Sequence, residues 1–369
     1  TVPKVAEVAV EMEPNTPGAI SFIGESEPGD DFEVEWSVSI VANRSTGLFS
    51  NVESTLLEKQ SGAAKSGRVM GVLGPAGSGK TVLLKALSWQ LSISGYNADA
   101  STVEVTCGFE AEPTEMPGVR FVYQNDSFVP GDTVTAAVTR QLGLAMKEDP
   151  TTFEASCASI VRAMGLSHFA DKKAAEISGG QLRRLSIACQ LAHRPRIMLL
   201  DEPTSGLDSE LALEAMVALR RFAVSNNAIV ICTLNQPGKR ILPTVDDFLF
   251  LSRGRSVYHG TIVECATFFG VTAAEMAVRS ETDVILDRLR EAERVGTEYN
   301  GASGPSAQPD TTRLPARVRM GPSNSYVAEG GCGGFAQRLQ ILVRRNALSR
   351  LSSPLQYVAE SAVKFIAYP

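Results

Sequence analysis

The stretch Gly74-Pro75-Ala76-Gly77-Ser78-Gly79-Lys80-Thr81 follows the spacing G-x-x-x-x-G-K-[ST]. Its glycines let the backbone curl until successive N–H groups converge on phosphate oxygens. Lys80 offers a charge to β- and γ-phosphates, and the Thr81 hydroxyl can ligate Mg²⁺. A helix starting at Thr81 adds its positive dipole end. A second stretch, RIMLLDEPTSGLDS (196–209), ends an apolar run in two acids. Asp201, at the carboxyl end of a buried strand, stands where a nucleotide's Mg²⁺ is held. Glu202 can point the other way, because strand neighbours face opposite sides. There it can orient a water for in-line attack on a γ-phosphate. In a third stretch, Ser178 is an N-cap, and Gly179, Gly180 and Gln181 open the helix that follows. The free N–H groups of that helix start form a second anion site. A single chain binding one nucleotide has no use for two such sites. A head-to-tail pair does, each loop's nucleotide being closed by the other copy's helix start.

These residues need strands to carry them. GRVMGVLG (67–74) is a short apolar strand running into the glycine loop, and TVLLKALSWQL (81–91) has helical apolar spacing. FEVEWSVSIV (32–41), STVEVTCG (101–108) and VRFVYQ (119–124) are further strands. RIMLLD (196–201) and AIVICTL (228–234) are strands on either side of the helix SELALEAMVALRRFAV. Residues 133 to 195 read as mostly helical. DDFLFLSRGRSVYHG (246–260) is a hairpin turning at Arg253-Gly254. Strands alternating with helices give an α/β sheet.

The remaining segments are of other kinds. Residues 1–31 are acidic and rich in Pro and Gly, a composition that reads as a disordered tail. Residues 296–334 form a Gly/Ser/Pro-rich linker. Residues 335–369 restore helical periodicity with arginines interleaved, which suits either an interfacial helix or one packed on the same domain. The 369 residues carry a net charge of -6, which gives no overall basic footprint for nucleic acid. Six scattered cysteines without a C-x-x-C pair indicate neither a disulfide framework nor a zinc site, and a reducing compartment fits them best. His168, His193 and His259 have no ligand spacing and read as surface or loop residues. No apolar run reaches the length of a membrane-spanning helix.

Taken together, the chain resembles the nucleotide-binding domain of an ABC transporter. Walker A is GPAGSGKT, the Q-loop glutamine is Gln124 in FVYQND, and the signature is ISGGQ. Walker B is IMLLDE, followed by the D-loop SGLD (205–208). The order and spacing match over residues 32 to about 270, and EPTSGLDS, LNQPG and FLFLSRGRSVYHG resemble the G (White) subfamily. The resemblance implies a P-loop NTPase fold. In it a RecA-like core sheet has helices on both faces, with an antiparallel β subdomain and a helical subdomain (about 133–195) carrying the signature. It implies an ATP-binding domain over 32–295. Residues 335–369 then become the helix leading to a transmembrane domain that these residues do not include.

By the same resemblance, Lys80 and the Walker A backbone hold ATP, while Thr81, Gln124 and Asp201 surround Mg²⁺. Glu202 is the general base. Ser178, Gly179, Gly180 and Gln181 meet the γ-phosphate bound by the opposite subunit, and Asp208 lies at the dimer seam. Trp36 is a candidate to stack on adenine and equally a candidate core residue. The implied partners are a second nucleotide-binding domain, identical or not, and the transmembrane domain of the full-length chain. They place this domain on the cytoplasmic face of a membrane, driving export of a hydrophobic or lipid-like substrate.

Asn235 departs from the pattern. The G subfamily usually has histidine before Gln-Pro, reaching the γ-phosphate and steadying the attacking water. Asparagine donates an amide N–H but is shorter and cannot become cationic. Losing charge assistance from one hydrogen bond costs roughly 1–2 kcal/mol, about ten- to thirty-fold in rate. Asn235 also suits the turn before Pro237. Three functions follow: an active transporter ATPase, a mainly ATP-binding regulatory half of a heterodimer, and a soluble ABC-type ATPase not linked to transport.

Overall fold

The computed structural model describes residues 31–47, 50–88, 101–107, 118–124, 128–129, 131–145 and 150–296. Apart from Asp31 and Gly296, the expected acidic tail, the linker and the C-terminal amphipathic helix lie outside the described residues. In chain order the first elements are β1 (Glu33–Gly47), β2 (Ser50–Lys65), β3 (Val69–Leu73), α1 (Lys80–Leu87), β4 (Thr102–Cys107) and β5 (Val119–Val122). Then come α2 (Val134–Ala145), α3 (Pro150–Ala163), α4 (Gly179–Leu191), β6 (Ile197–Leu200), α5 (Ser209–Ser225) and β7 (Ile229–Thr233). The last are β8 (Asp247–Ser252), β9 (Arg255–Gly260), α6 (Ile262–Phe268), α7 (Ala273–Val278) and α8 (Glu281–Val295).

The strands form two sheets. The larger has the order β5-β6-β7-β3-β8-β9, parallel except for β9, which pairs antiparallel with β8 across the expected Arg253-Gly254 turn. Strands β3, β6 and β7 are buried at every residue, as a parallel sheet covered on both faces requires. Alternate residues therefore feed two cores. Leu73, Leu200, Cys232 and Phe250 pack with α4 and α5 residues on one face. Val72, Leu199, Ile231 and Leu249 pack on the other with Leu83 and Leu84 of α1 and with β1.

The smaller sheet is antiparallel, β2-β1-β4. In β1, Val34, Trp36, Val38 and Ile40 are buried and alternate with half-exposed Glu35, Ser37 and Ser39, the period of a half-buried strand. Trp36 belongs to this core. It is 3% exposed and pairs with Gly62 of β2, where a side-chain Cβ would meet the indole Cζ2 at 2.3 Å. That placement leaves no ring face for adenine. The sequence reading missed β2, because ESTLLEKQSGAAK has no clean alternation and is poor in β-branched residues; pairing with β1 decides it.

The described residues of 133–195 are mostly helical, as expected, in α2, α3 and α4 with short 3₁₀ turns between the last two. Helices α6, α7 and α8 were also missed. Each has a side-chain N-cap, from Thr261, Thr272 and Ser280, and α8 buries Val284, Ile285, Leu286 and Leu289. Of the histidines, His168 is exposed, His193 lies half-buried in the turn after α4, and His259 lies half-buried in strand β9 rather than in a loop. Cys157, Cys189, Cys232 and Cys265 are buried, and none of the four is in a disulfide. Among the described residues no helix is long and apolar enough to cross a membrane.

Candidate nucleotide site at the carboxyl edge of the sheet

Four parallel strands deliver the site. β3 runs into the loop 74–80, β6 into Asp201 and Glu202, β5 into Gln124, and β7 into Asn235. All four segments thus leave the same edge of one sheet, the edge where open α/β sheets bind ligands. The acids come from β6 and the loop from β3, and β7 lies between those strands. The β7 residue facing both is Thr233.

The loop is tightly held. Gly79 has φ 99°, and a Cβ there would lie 2.5 Å from the Leu57 side chain, so the antiparallel sheet rests against the loop. Ser78 is buried, and its carbonyl accepts from the Gly254 N–H at 3.1 Å, tying the loop to the β8–β9 turn. Lys80 is buried, and its ammonium donates to the carbonyls of Gly74 at 2.8 Å and Pro75 at 2.9 Å. Desolvation lowers its pKa, and the charges of Glu202 and Asp201 oppose that shift. A cation is thereby aimed along a curl of backbone amides, an arrangement suited to a polyphosphate.

The acids are fixed by hydroxyls. Thr81 Oγ1 donates to the Asp201 carboxylate, 3.0 Å from each oxygen, and Thr233 Oγ1 donates to Asp201 Oδ1 at 2.8 Å. The Thr233 hydroxyl in turn accepts the Glu202 backbone N–H at 2.8 Å. Glu202 is held at φ 52°, a conformation that costs a non-glycine residue about 1–3 kcal/mol. Its carboxylate is bracketed: Gln124 Nε2 donates to Oε2 at 3.1 Å and Asn235 Nδ2 donates to Oε1 at 2.9 Å. Behind Asn235, the Pro237 carbonyl accepts from Thr282 Oγ1 at 3.3 Å, which seats the loop on the start of α8.

Thr81, Gln124 and Asp201 offer a hydroxyl, an amide and a carboxylate, oxygen donors of the kind Mg²⁺ takes together with phosphate oxygens. No cluster of three or more His, Cys, Asp or Glu suited to a metal occurs among the described residues. The hydroxyl, amide and carboxylate fit Mg²⁺ as oxygen donors that leave positions for phosphate oxygens.

The signature turn is separate from this cluster. Ser178 Oγ accepts from the Gln181 N–H at 3.3 Å, and Gln181 Oε1 accepts from the Ser178 N–H at 2.9 Å, a reciprocal cap on α4. Ser178 and Gly179 are exposed, and a Cβ on Gly179 would meet nothing within 4 Å. A Cβ on Gly180 would lie 2.9 Å from Leu207, so the D-loop abuts the signature turn. Asp208 caps α5, accepting from the N–H groups of Glu210 at 3.0 Å and Leu211 at 2.9 Å. Among the described residues no hydrogen bond links Ser178–Gln181 to the loop 74–81 of the same chain. The structure thus brings Lys80, Thr81, Gln124, Asp201, Glu202 and Asn235 together and leaves Ser178–Gln181 facing outward.

Two residues of the site went unread in the sequence. Thr233 looked like the end of an apolar strand, and only the register Val72↔Thr233 and Leu200↔Cys232 places it between loop and acids. Arg183 drew no separate reading within the helical stretch that follows the signature. It is 7% exposed and donates to the backbone carbonyls of Tyr123, Gln124 and Asp201.

This fold and site define a P-loop ATPase of the ABC cassette class. Residues 57–205 match the family model described as ABC transporter. The chain is 34% identical over 259 residues to ABC transporter G family member 6 of Arabidopsis thaliana, covering 68% of this chain and 35% of that protein. It is 30% identical over 261 residues to ABC transporter G family member 1 of Dictyostelium discoideum, covering 66% and 31%. Among solved structures, the ATP-binding cassette MJ0796, in a dimeric post-hydrolysis state bound to ADP and Pi, shares the fold. It aligns at TM-score 0.50 and 20% identity over 61% of this chain and 98% of that one. These matches support a nucleotide-binding domain of the ABC transporter kind, and the curated relatives are G family members. It spans about a third of the length of the curated relatives it matches.

Proposed function

We propose that this domain binds ATP with Mg²⁺, dimerises head-to-tail on two nucleotides, and hydrolyses them slowly to drive export of a hydrophobic or lipid-like substrate. The domain would sit on the cytoplasmic face of a membrane, attached to a transmembrane part of the same protein. The observation that carries the reading is Glu202 bracketed by Gln124 and Asn235 beside the Thr81–Asp201 contact. Lys80 and the loop amides hold the β- and γ-phosphates. Glu202 accepts the proton of the attacking water as its oxygen bonds to the γ-phosphorus and ADP leaves with the β–γ bridging oxygen. Bound Mg²⁺, held through Thr81, Gln124 and Asp201, supplies positive charge to the phosphate oxygens. Asn235 keeps Glu202 oriented through a neutral amide and supplies no cation toward the γ-phosphate, which is why turnover is slow. Ser178, Gly179, Gly180 and Gln181 close the opposite subunit's nucleotide, and Asp208 lies at that seam.

The test is disulfide cross-linking of Ser178→Cys in one copy to Ala76→Cys in the other within the membrane-assembled protein. ATP should promote the cross-link, and Glu202→Gln should trap it while abolishing turnover. ATP binding without any cross-link rejects the head-to-tail dimer, and full activity in Glu202→Gln rejects Glu202 as base.

Asn235 also favours a second reading, in which this domain is the mainly ATP-binding half of a heterodimer. A homodimer with turnover at least equal to that of a mixed dimer excludes it.

A further inference from the structure

We propose that Arg183 is a positioning residue for ATP hydrolysis, its guanidinium setting the backbone from which Glu202 and Gln124 project. The inference rests on the reading of Glu202 given above. Strand β5 ends at Val122 and β6 at Leu200, so the carbonyls of Tyr123, Gln124 and Asp201 fall just past the last ladder residues. Carbonyls past the ladder need other donors, the buried Asp201 carbonyl above all. Arg183 supplies them from the second turn of α4, with Nη1 donating to Tyr123 O and, at 3.4 Å, to Gln124 O, and Nη2 donating to Asp201 O. One rigid fork thus spans the two strand ends that carry the base and its glutamine partner. The Asp201–Glu202 peptide is gripped from both sides, by Arg183 at the Asp201 carbonyl and by Thr233 at the Glu202 N–H. That double grip sustains the positive φ of Glu202.

The same helix opens at Ser178, the turn that faces a second copy. Arg183 touches no phosphate itself and acts through the backbone it holds.

The experiment uses Arg183→Met and Arg183→Lys in the membrane-assembled protein. Arg183→Met should lower kcat about 30- to 100-fold with KM for ATP changed less than about threefold, the signature of a misplaced base. Arg183→Lys keeps the charge without the fork, so it should recover less than about a tenth of the lost rate while still giving a cooperative thermal melt. In a Glu202→Gln background neither substitution should reduce the residual turnover further. Hydrogen exchange at the Glu202 amide should speed up in both variants without nucleotide. Full turnover in Arg183→Lys, a KM that rises as far as kcat falls, or unchanged exchange at Glu202 overturns the proposal. If Arg183→Met does not fold, Arg183→Lys carries the test. Should Glu202→Gln alone prove fully active, the base assignment fails, and amide exchange still decides the role of Arg183 because it needs no turnover.

Discussion

Asn235 donates its side-chain amide to Oε1 of Glu202 at 2.9 Å, while Gln124 donates to Oε2 at 3.1 Å. Both carboxylate oxygens of Glu202, the base in the proposed function, are thus held by neutral amides, one from the end of β7 and one from the end of β5. An imidazolium in place of Asn235 would add charge assistance worth roughly 1–2 kcal/mol. Asn235→His should therefore raise ATP turnover about ten- to thirty-fold, with ATP affinity little changed. Steady-state kinetics on the variant check this, and an unchanged kcat overturns the proposed role of Asn235 in slowing hydrolysis.

Thr233 joins Asp201 Oδ1 to the Glu202 amide through one hydroxyl, at 2.8 Å to each. Thr233→Val keeps the shape and deletes the bridge, stranding a buried N–H. A loss of about 1–3 kcal/mol in stability is expected. Turnover should fall more than ATP affinity, because the acids lose their alignment. Urea unfolding and nucleotide titration separate the two effects.

Trp36 lies over Gly62 inside the antiparallel sheet. Gly62→Ala must push the indole or its own strand aside, at a cost of about 1–3 kcal/mol. Trp36→Phe should lower the melting temperature and leave ATP affinity within about twofold, since a core residue contributes nothing to adenine. A tenfold loss of affinity in Trp36→Phe would restore Trp36 as the stacking residue.

His193 links three elements: Arg120 of β5 lies 3.3 Å from Nδ1, and Gln141 Oε1 of α2 lies 3.0 Å from Nε2. Burial first, and then the Arg120 charge, lower its pKa from 6.5 to about 4. In the unfolded chain the imidazole protonates near pH 6.5, and in the folded one near 4. Its stabilising contribution is therefore complete above pH 6.5 and is lost as pH falls from there toward 4, amounting to roughly 2–3 kcal/mol. Denaturation midpoints at pH 7.5 and 5 should differ, and His193→Asn should flatten that difference. His259, whose pKa burial also lowers, leaves a smaller slope of the same sign.

Much of the site is local in the chain and could be read there. The glycine loop, the acid pair and the signature each need only consecutive residues, and the physics that makes them useful acts within one turn of helix or one end of strand. The fully apolar runs of β3, β6 and β7 likewise announce a parallel sheet buried on both faces. What the chain order could not state is which strand lies beside which. The insertion of β7 between β6 and β3 puts Thr233 between the acids and the loop. Burial of the Arg183 fork between α4 and two strand ends makes this arginine a clamp on backbone carbonyls. The pairing of β2 with β1 makes a strand of residues with little strand propensity and closes the core over Trp36. Local chemistry is written in residue types at short spacing. Register between distant strands and the pairing of buried donors with distant carbonyls are settled only when the whole sheet packs, because only then does water leave and every polar group need a partner.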